Sequence, residues 1–242
     1  KIDALEERLF RARAEGLDLT ADRYPYLAAM TALYSRLPDR FLEGGTEAAL
    51  ARLRDPDERA RLTDEMLRER GEMDWTAIRI GHAHGGAAVF HGMNLAEVAA
   101  QMGRPPIEAF FELLLMSRLN CSAIFFDMCE ENLERILAWP FVYMGSDSAA
   151  RALQGPTAEG KPHPRTFGTC ARFLGVYVRE RKRLSLSEAV ARMTSLPARR
   201  FGLADRGALR PGAYADIVVF DPETIRDAAT YDAPFQLSVG IR

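Results

Sequence analysis

Apolar residues recur at helical spacing over residues 2–15, where Ile2, Leu5, Leu9 and Ala12 share one face and Gly16 suits the position just past a helix end. Leu17–Ala21 then reads as a short strand running into the turn-rich Asp22-Arg23-Tyr24-Pro25-Tyr26. Residues 28–45 are mixed and read as loop, with a helical piece at Leu33–Leu37, and a polar, charged stretch runs on to Gly71. Within it Asp55-Pro56 predicts a helix start, with Asp as cap and Pro at the first helical position, and Leu62, Met66 and Leu67 give that helix a narrow apolar stripe.

Thr76–His82 alternates and predicts a strand. Asn94 and Glu97 have capping-box spacing ahead of a helix that ends near Gly103. Ile107, Phe110, Phe111, Leu114 and Leu115 form the most hydrophobic helical face in the chain. Cys121–Met128 and Phe141–Met144 are apolar strands on either side of a short helix over Glu130–Trp139. Helices follow over 166–181, from Ser185 to Met193 and from Ser195 to Gly202, and Ala215–Phe220 is a β-branched strand. Helices alternating with short strands predict an α/β fold. The count is about five strands, short of the eight that a complete (β/α)₈ barrel needs.

Composition narrows the function. Lys plus Arg (32) nearly balances Asp plus Glu (34) in 242 residues, so no basic face for nucleic acid is implied. The basic run Arg179–Arg183 reads as a solvated helix end. No apolar run reaches the ~18 residues of a membrane span, and Lys1-Ile2-Asp3-Ala4 does not read as a signal peptide. Three cysteines without metal-type spacing fit a reducing cytoplasm. A GxSxG elbow, a P-loop and a GxGxxG fingerprint are all absent, so serine-hydrolase and nucleotide chemistry have no support.

Asp147 follows an apolar strand, on the edge where parallel α/β folds carry their sites, with Gly145 permitting close backbone approach and Ser146 and Ser148 both small. A carboxylate there can bind a metal, act as a general base, or simply cap a following helix. His82 and His84 form an H-x-H pair whose side chains share one face if the strand is extended. The Gly85-Gly86 that follows favours solvated or supporting histidines over ligands, and His91 reads as a loop residue. His163 and Arg165 lie between Asp147 and the next helix; Arg165 suits a bidentate grip on a substrate carboxylate or a structural role at a helix start. The Tyr24 and Tyr26 phenols can donate hydrogen bonds at the same mouth or serve as wall aromatics. One Asp and two doubtful histidines fall short of the roughly three protein ligands of a catalytic zinc.

Several stretches resemble the N-acyl-D-amino-acid deacylases (D-aminoacylases) of the amidohydrolase superfamily, over nearly the whole chain. Gly16–Tyr26 resembles their sixth barrel strand and Phe141–Asp147 their eighth. His163–Thr169, Leu184–Leu186 and Met193–Ala198 match closely, and Gly207–Pro222 is similar to the closing signature of amidohydrolases generally. The resemblance implies the C-terminal half of a (β/α)₈ TIM barrel of the metal-dependent hydrolase type over 1–202, with 85–140 as an insertion or lid and His82-Ala83-His84 near strand seven. Residues 203–242 would be a remnant of a small β-sandwich domain. Implied too is hydrolysis of the amide of a small-molecule N-acyl-D-amino acid, using one or two zinc ions. Asp147 would be the catalytic proton carrier and a metal ligand, and Arg165, Tyr24, Ser148 and His163 would contact substrate. The remaining ligands would lie upstream of residue 1, so both ends read as cut and the chain alone is expected to be inactive. The alternatives are a cyclic-amide hydrolase of the hydantoinase or dihydroorotase kind, and a non-catalytic fragment.

Overall fold

The first helical stripe is realised as α1 (Ile2–Ala14), closed by Gly16 at φ 93° with its N–H on the Arg13 carbonyl. The computed structural model describes all 242 residues. After α1 come β1 (Ala21–Arg23) and β2 (Ala29–Ala32). Then follow α2 (Gly45–Arg54) and α3 (Pro56–Arg70), the latter capped by Asp55, whose carboxylate accepts from the Asp57 and Glu58 amides. Next are β3 (Ile78–Ala83), α4 (Leu95–Met102) with the full Asn94/Glu97 capping box, and α5 (Pro106–Met116). β4 (Cys121–Phe125), α6 (Glu130–Ala138) and β5 (Val142–Met144) precede α7 (Arg165–Arg172), which continues as π-helix over Phe173–Glu180. α8 (Leu186–Met193) and α9 (Ser195–Arg200) complete the regular elements.

These elements fall into two compact units, one of residues 1–27, 128–153 and 164–242, the other of residues 28–127 and 154–163. In the first unit β1 and β5 pair in parallel, with Ala21 opposite Val142 and Arg23 opposite Met144. Ile2 and Leu9 of α1 pack on Trp139, Phe141 and Val142. Leu133 and Leu137 of α6 meet Phe173, Leu174 and Tyr177 in a second cluster. In the second unit β2, β4 and β3 form an antiparallel sheet with β4 central. Ile78, Ile80, Ala123 and Phe125 of that sheet share a core with Phe110, Phe111 and Leu114 of α5 and with Leu50, Leu53 and Leu62 from α2 and α3.

Three expectations change. The strand expected over Thr76–His82, with His82-Ala83-His84 near strand seven, is β3, and it runs antiparallel to β4, whereas barrel strands run parallel to their neighbours. The segment expected as an insertion, 85–140, straddles both units. Ala215–Phe220 forms no strand: Phe220 makes a single bridge to Ile241, and Ile217, Val218 and Val219 are exposed. A strand is held by its partner's hydrogen bonds, and beside the Phe220 bridge the run 215–219 has just one to a distant segment, from the Arg242 amide to the Val219 carbonyl. Sequence pattern also missed β2, a four-residue strand of which two are alanine, and α2, whose buried face is just Ala49, Leu50 and Leu53.

Candidate functional site

The site of the first unit is built where β1 and β5 end together. Arg23 is paired with Met144, so Tyr24 and Gly145 are the first residues beyond the ladder. Gly145 lets the Asp22 carboxylate lie close against the backbone, where a β-carbon would force that side chain to move. Two residues on, Asp147 adopts φ 47°, a left-handed conformation that short polar side chains tolerate best. Its carboxylate is largely exposed and forms a 2.8 Å ion pair with Nη1 of Arg165, which is 7% exposed.

Arg165 opens α7. Its guanidinium also lies over the Tyr24 ring, 4.5 Å from the centroid, so one buried cation joins the residue after β1 to the carboxylate after β5. Beside them the Ser148 hydroxyl is 2.8 Å from that of Thr166. Tyr231 falls within electrostatic range of Tyr24 and Arg165, and burial pushes its phenol up to about 12. The structure thus brings together Asp147, Arg165 and Tyr24, with Ser148 alongside. Tyr231 was invisible to sequence reasoning, since some 200 residues separate it from Tyr24 and no motif marks it.

Tyr26 turns elsewhere. It is buried and donates to Asp227 Oδ2 at 3.1 Å, and Arg172 binds the same carboxylate at 3.4 Å. Burial first, and the Asp227 charge second, hold its phenol far above the ordinary tyrosine range. His163 belongs to the second unit, where its buried ring places Nε2 3.0 Å from the Ala28 carbonyl. His82 and His84 stand in that unit too, with their Nε2 atoms 3.0 Å apart.

No three His, Cys, Asp or Glu side chains converge to hold a metal. Asp147, beyond the end of β5, is already paired with Arg165. Of the three free cysteines, Cys121 is buried and its thiol is raised to about 12, the opposite of a thiolate ligand. These side chains therefore do not assemble the roughly three protein ligands of a catalytic zinc.

Residues 7–240 match the amidohydrolase family. The chain is 38% identical over 231 residues to an N-acyl-D-glutamate deacylase from Alcaligenes xylosoxydans xylosoxydans, covering 96% of this chain and 38% of that protein. A D-aminoacylase from the same organism is 42% identical over 150 residues, or 62% of this chain and 28% of that one. Among solved structures, the N-acyl-D-glutamate deacylase from Bordetella bronchiseptica is similar with a TM-score of 0.74 and 36% identity, over 99% of this chain and 41% of that chain. It is complexed with zinc and a phosphonate inhibitor that mimics the tetrahedral intermediate of the reaction. The chain spans about two fifths of the length of these two deacylases.

Proposed function

Because the chain belongs to the amidohydrolase family, we propose that it is the portion of an N-acyl-D-amino-acid deacylase that carries the proton-transfer carboxylate and the substrate-binding arginine. The observation that carries this reading is the linkage Tyr24–Arg165–Asp147 across the carboxyl ends of two adjacent parallel strands. Loops at that end carry the chemistry in barrel enzymes. On this reading β1 and β5 are neighbouring strands of a (β/α)₈ barrel, residues 28–127 are a unit inserted between them, and 203–242 contribute to a β-sandwich. Three free cysteines suit a reducing compartment such as the cytoplasm.

Amide hydrolysis needs a base that takes a proton from the attacking water and returns it to the leaving nitrogen. Asp147 does this in the proposal, its short side chain fixed by the turn after β5. A guanidinium has five N–H donors, so Arg165 can hold Asp147 while other N–H groups grip the substrate's carboxylate. Ser148 is assigned to the substrate surround. Zinc, as held by the Bordetella relative, would need ligands beyond this chain's own set, with Asp147 as the one contribution from here.

The test is Asp147→Asn in the complete protein, assayed on N-acyl-D-amino acids beside a panel of hydantoins and dihydroorotate. Turnover of the N-acyl-D-amino acids should fall by about 10³-fold, within the usual range for a general base, with an unchanged circular dichroism spectrum. Near-normal turnover would remove Asp147 from the mechanism. Preference for the cyclic amides would replace the substrate class.

A further inference from the structure

The strand that carries His82 and leads into His84 has a fault in its pairing. Ile78 and Ile80 face the core, and strict alternation would send His82 inward with them. The β3–β4 register shifts between Ile80 and His82, so Ala83 takes the core position at 2% exposure. His82 is left half-buried and His84 exposed, both on the outer face. Irregularities of this kind re-aim side chains.

The pair is also held. The His82 ring stacks on that of His91 at 5.4 Å and 26°. His91 is itself pinned, its Nε2 2.9 Å from the Ala83 amide and 3.0 Å from the Ala83 carbonyl. Gly160 covers the other side so closely that a β-carbon there would stand 3.0 Å from His82 Nδ1. The two Nε2 atoms of His82 and His84 are 3.0 Å apart, a hydrogen bond in which one ring N–H donates to the other nitrogen and whose proton an ion would have to displace. Two nitrogens bound cis to one ion at ~2.0–2.1 Å are separated by about 3 Å, and imidazole is the ligand that Zn, Cu and Ni share.

We propose that His82 and His84 form a two-imidazole chelate for a divalent first-row transition ion, with water completing its coordination. With two protein ligands it is a weaker site than a catalytic zinc centre, and one that a chelator empties. The experiment is calorimetric titration of the 242-residue chain with Ni(II), followed in parallel by the histidine ring-proton signals. One ion per chain is expected, with the His82 and His84 signals broadened at lower Ni(II) than that of buried His163. His84→Ala and His82→Gln should each weaken binding about tenfold or more. His84 is exposed, so its variant will fold, and circular dichroism checks His82→Gln. Unchanged affinity in either variant would overturn the chelate and assign the ion elsewhere, with the exposed Cys129 and Cys170 as the first candidates. Absence of binding below millimolar Ni(II) would overturn it as well.

Discussion

Asp147 combines a backbone penalty with a buried cationic partner, and the two can be separated by choice of substituent. At φ 47° an L-residue costs roughly 1–2 kcal/mol, less for Asp and Asn, whose side chains bond locally. Asn also keeps an acceptor for the Arg165 guanidinium, whereas Ala leaves that buried donor without its carboxylate. Asp147→Ala is therefore expected to be about 1–2 kcal/mol less stable than Asp147→Asn by urea unfolding; equal midpoints would mean that neither effect operates. Arg165→Lys asks a different question. Lysine offers a point charge in place of a planar fork and stacks poorly on Tyr24. In the complete protein this change should raise KM for N-acyl-D-amino acids by about 10-fold or more, a bidentate contact being lost, with kcat falling less; a pure kcat effect would place Arg165 in service of Asp147 alone.

At the scale of elements, α7 is the structural spine of the site. Arg165, Gly168 and Arg172 recur at i, i+3 and i+7, so one helical face carries the cation at Asp147, the close approach of Tyr26, and the cation at Asp227. A β-carbon at Gly168 would strike the Tyr26 hydroxyl and stand 2.8 Å from Asp227 Cβ. Gly168→Ala should thus cost about 1–3 kcal/mol as overpacking, read as a lowered thermal midpoint. The buried tyrosines set an alkaline limit. The phenols of Tyr26, Tyr177 and Tyr231 are all raised, chiefly by burial, so between pH 10 and their folded values the native state holds protons that the unfolded chain has released. Stability is then full below about pH 10, the ordinary tyrosine value, and falls as pH rises further. Tyr26→Phe should flatten part of that fall in pH-dependent melts, and an unaltered slope would contradict it. Helices were legible wherever sequence wrote both a cap and a stripe, as at Asp55 and Asn94. α2, with its Gly-Gly start and three apolar contacts, wrote neither. β3, β4 and β5 were legible from apolar runs, whereas Ala215–Phe220 was misread as a strand and pairing was not legible at all: β3 and β5 look alike in sequence, yet one is antiparallel and the other parallel, because topology depends on partners far along the chain.

For the molecule as a whole, the candidate site was legible in part because Asp147, Arg165 and Tyr24 lie within short, ordered motifs, while Tyr231 reaches it through tertiary folding alone. The metal chemistry of the family is a harder matter, since it depends on how many donors converge. A catalytic zinc takes about three protein ligands and a water, and no three such side chains converge here. Hydrolysis by the 242-residue chain should then be no faster than that of its Asp147→Asn variant, even in excess zinc, because the base has no activated water to serve. The complete protein should hydrolyse N-acyl-D-amino acids and lose that activity on removal of zinc. The His82–His84 chelate makes the comparison sharper: with two protein ligands it falls short of a catalytic zinc, so stripping Ni(II) or zinc from it should leave hydrolysis by this chain unchanged. Substantial zinc-dependent turnover by this chain alone would mean that its own side chains assemble a metal site in solution, and the division of labour proposed for Asp147 would have to be abandoned.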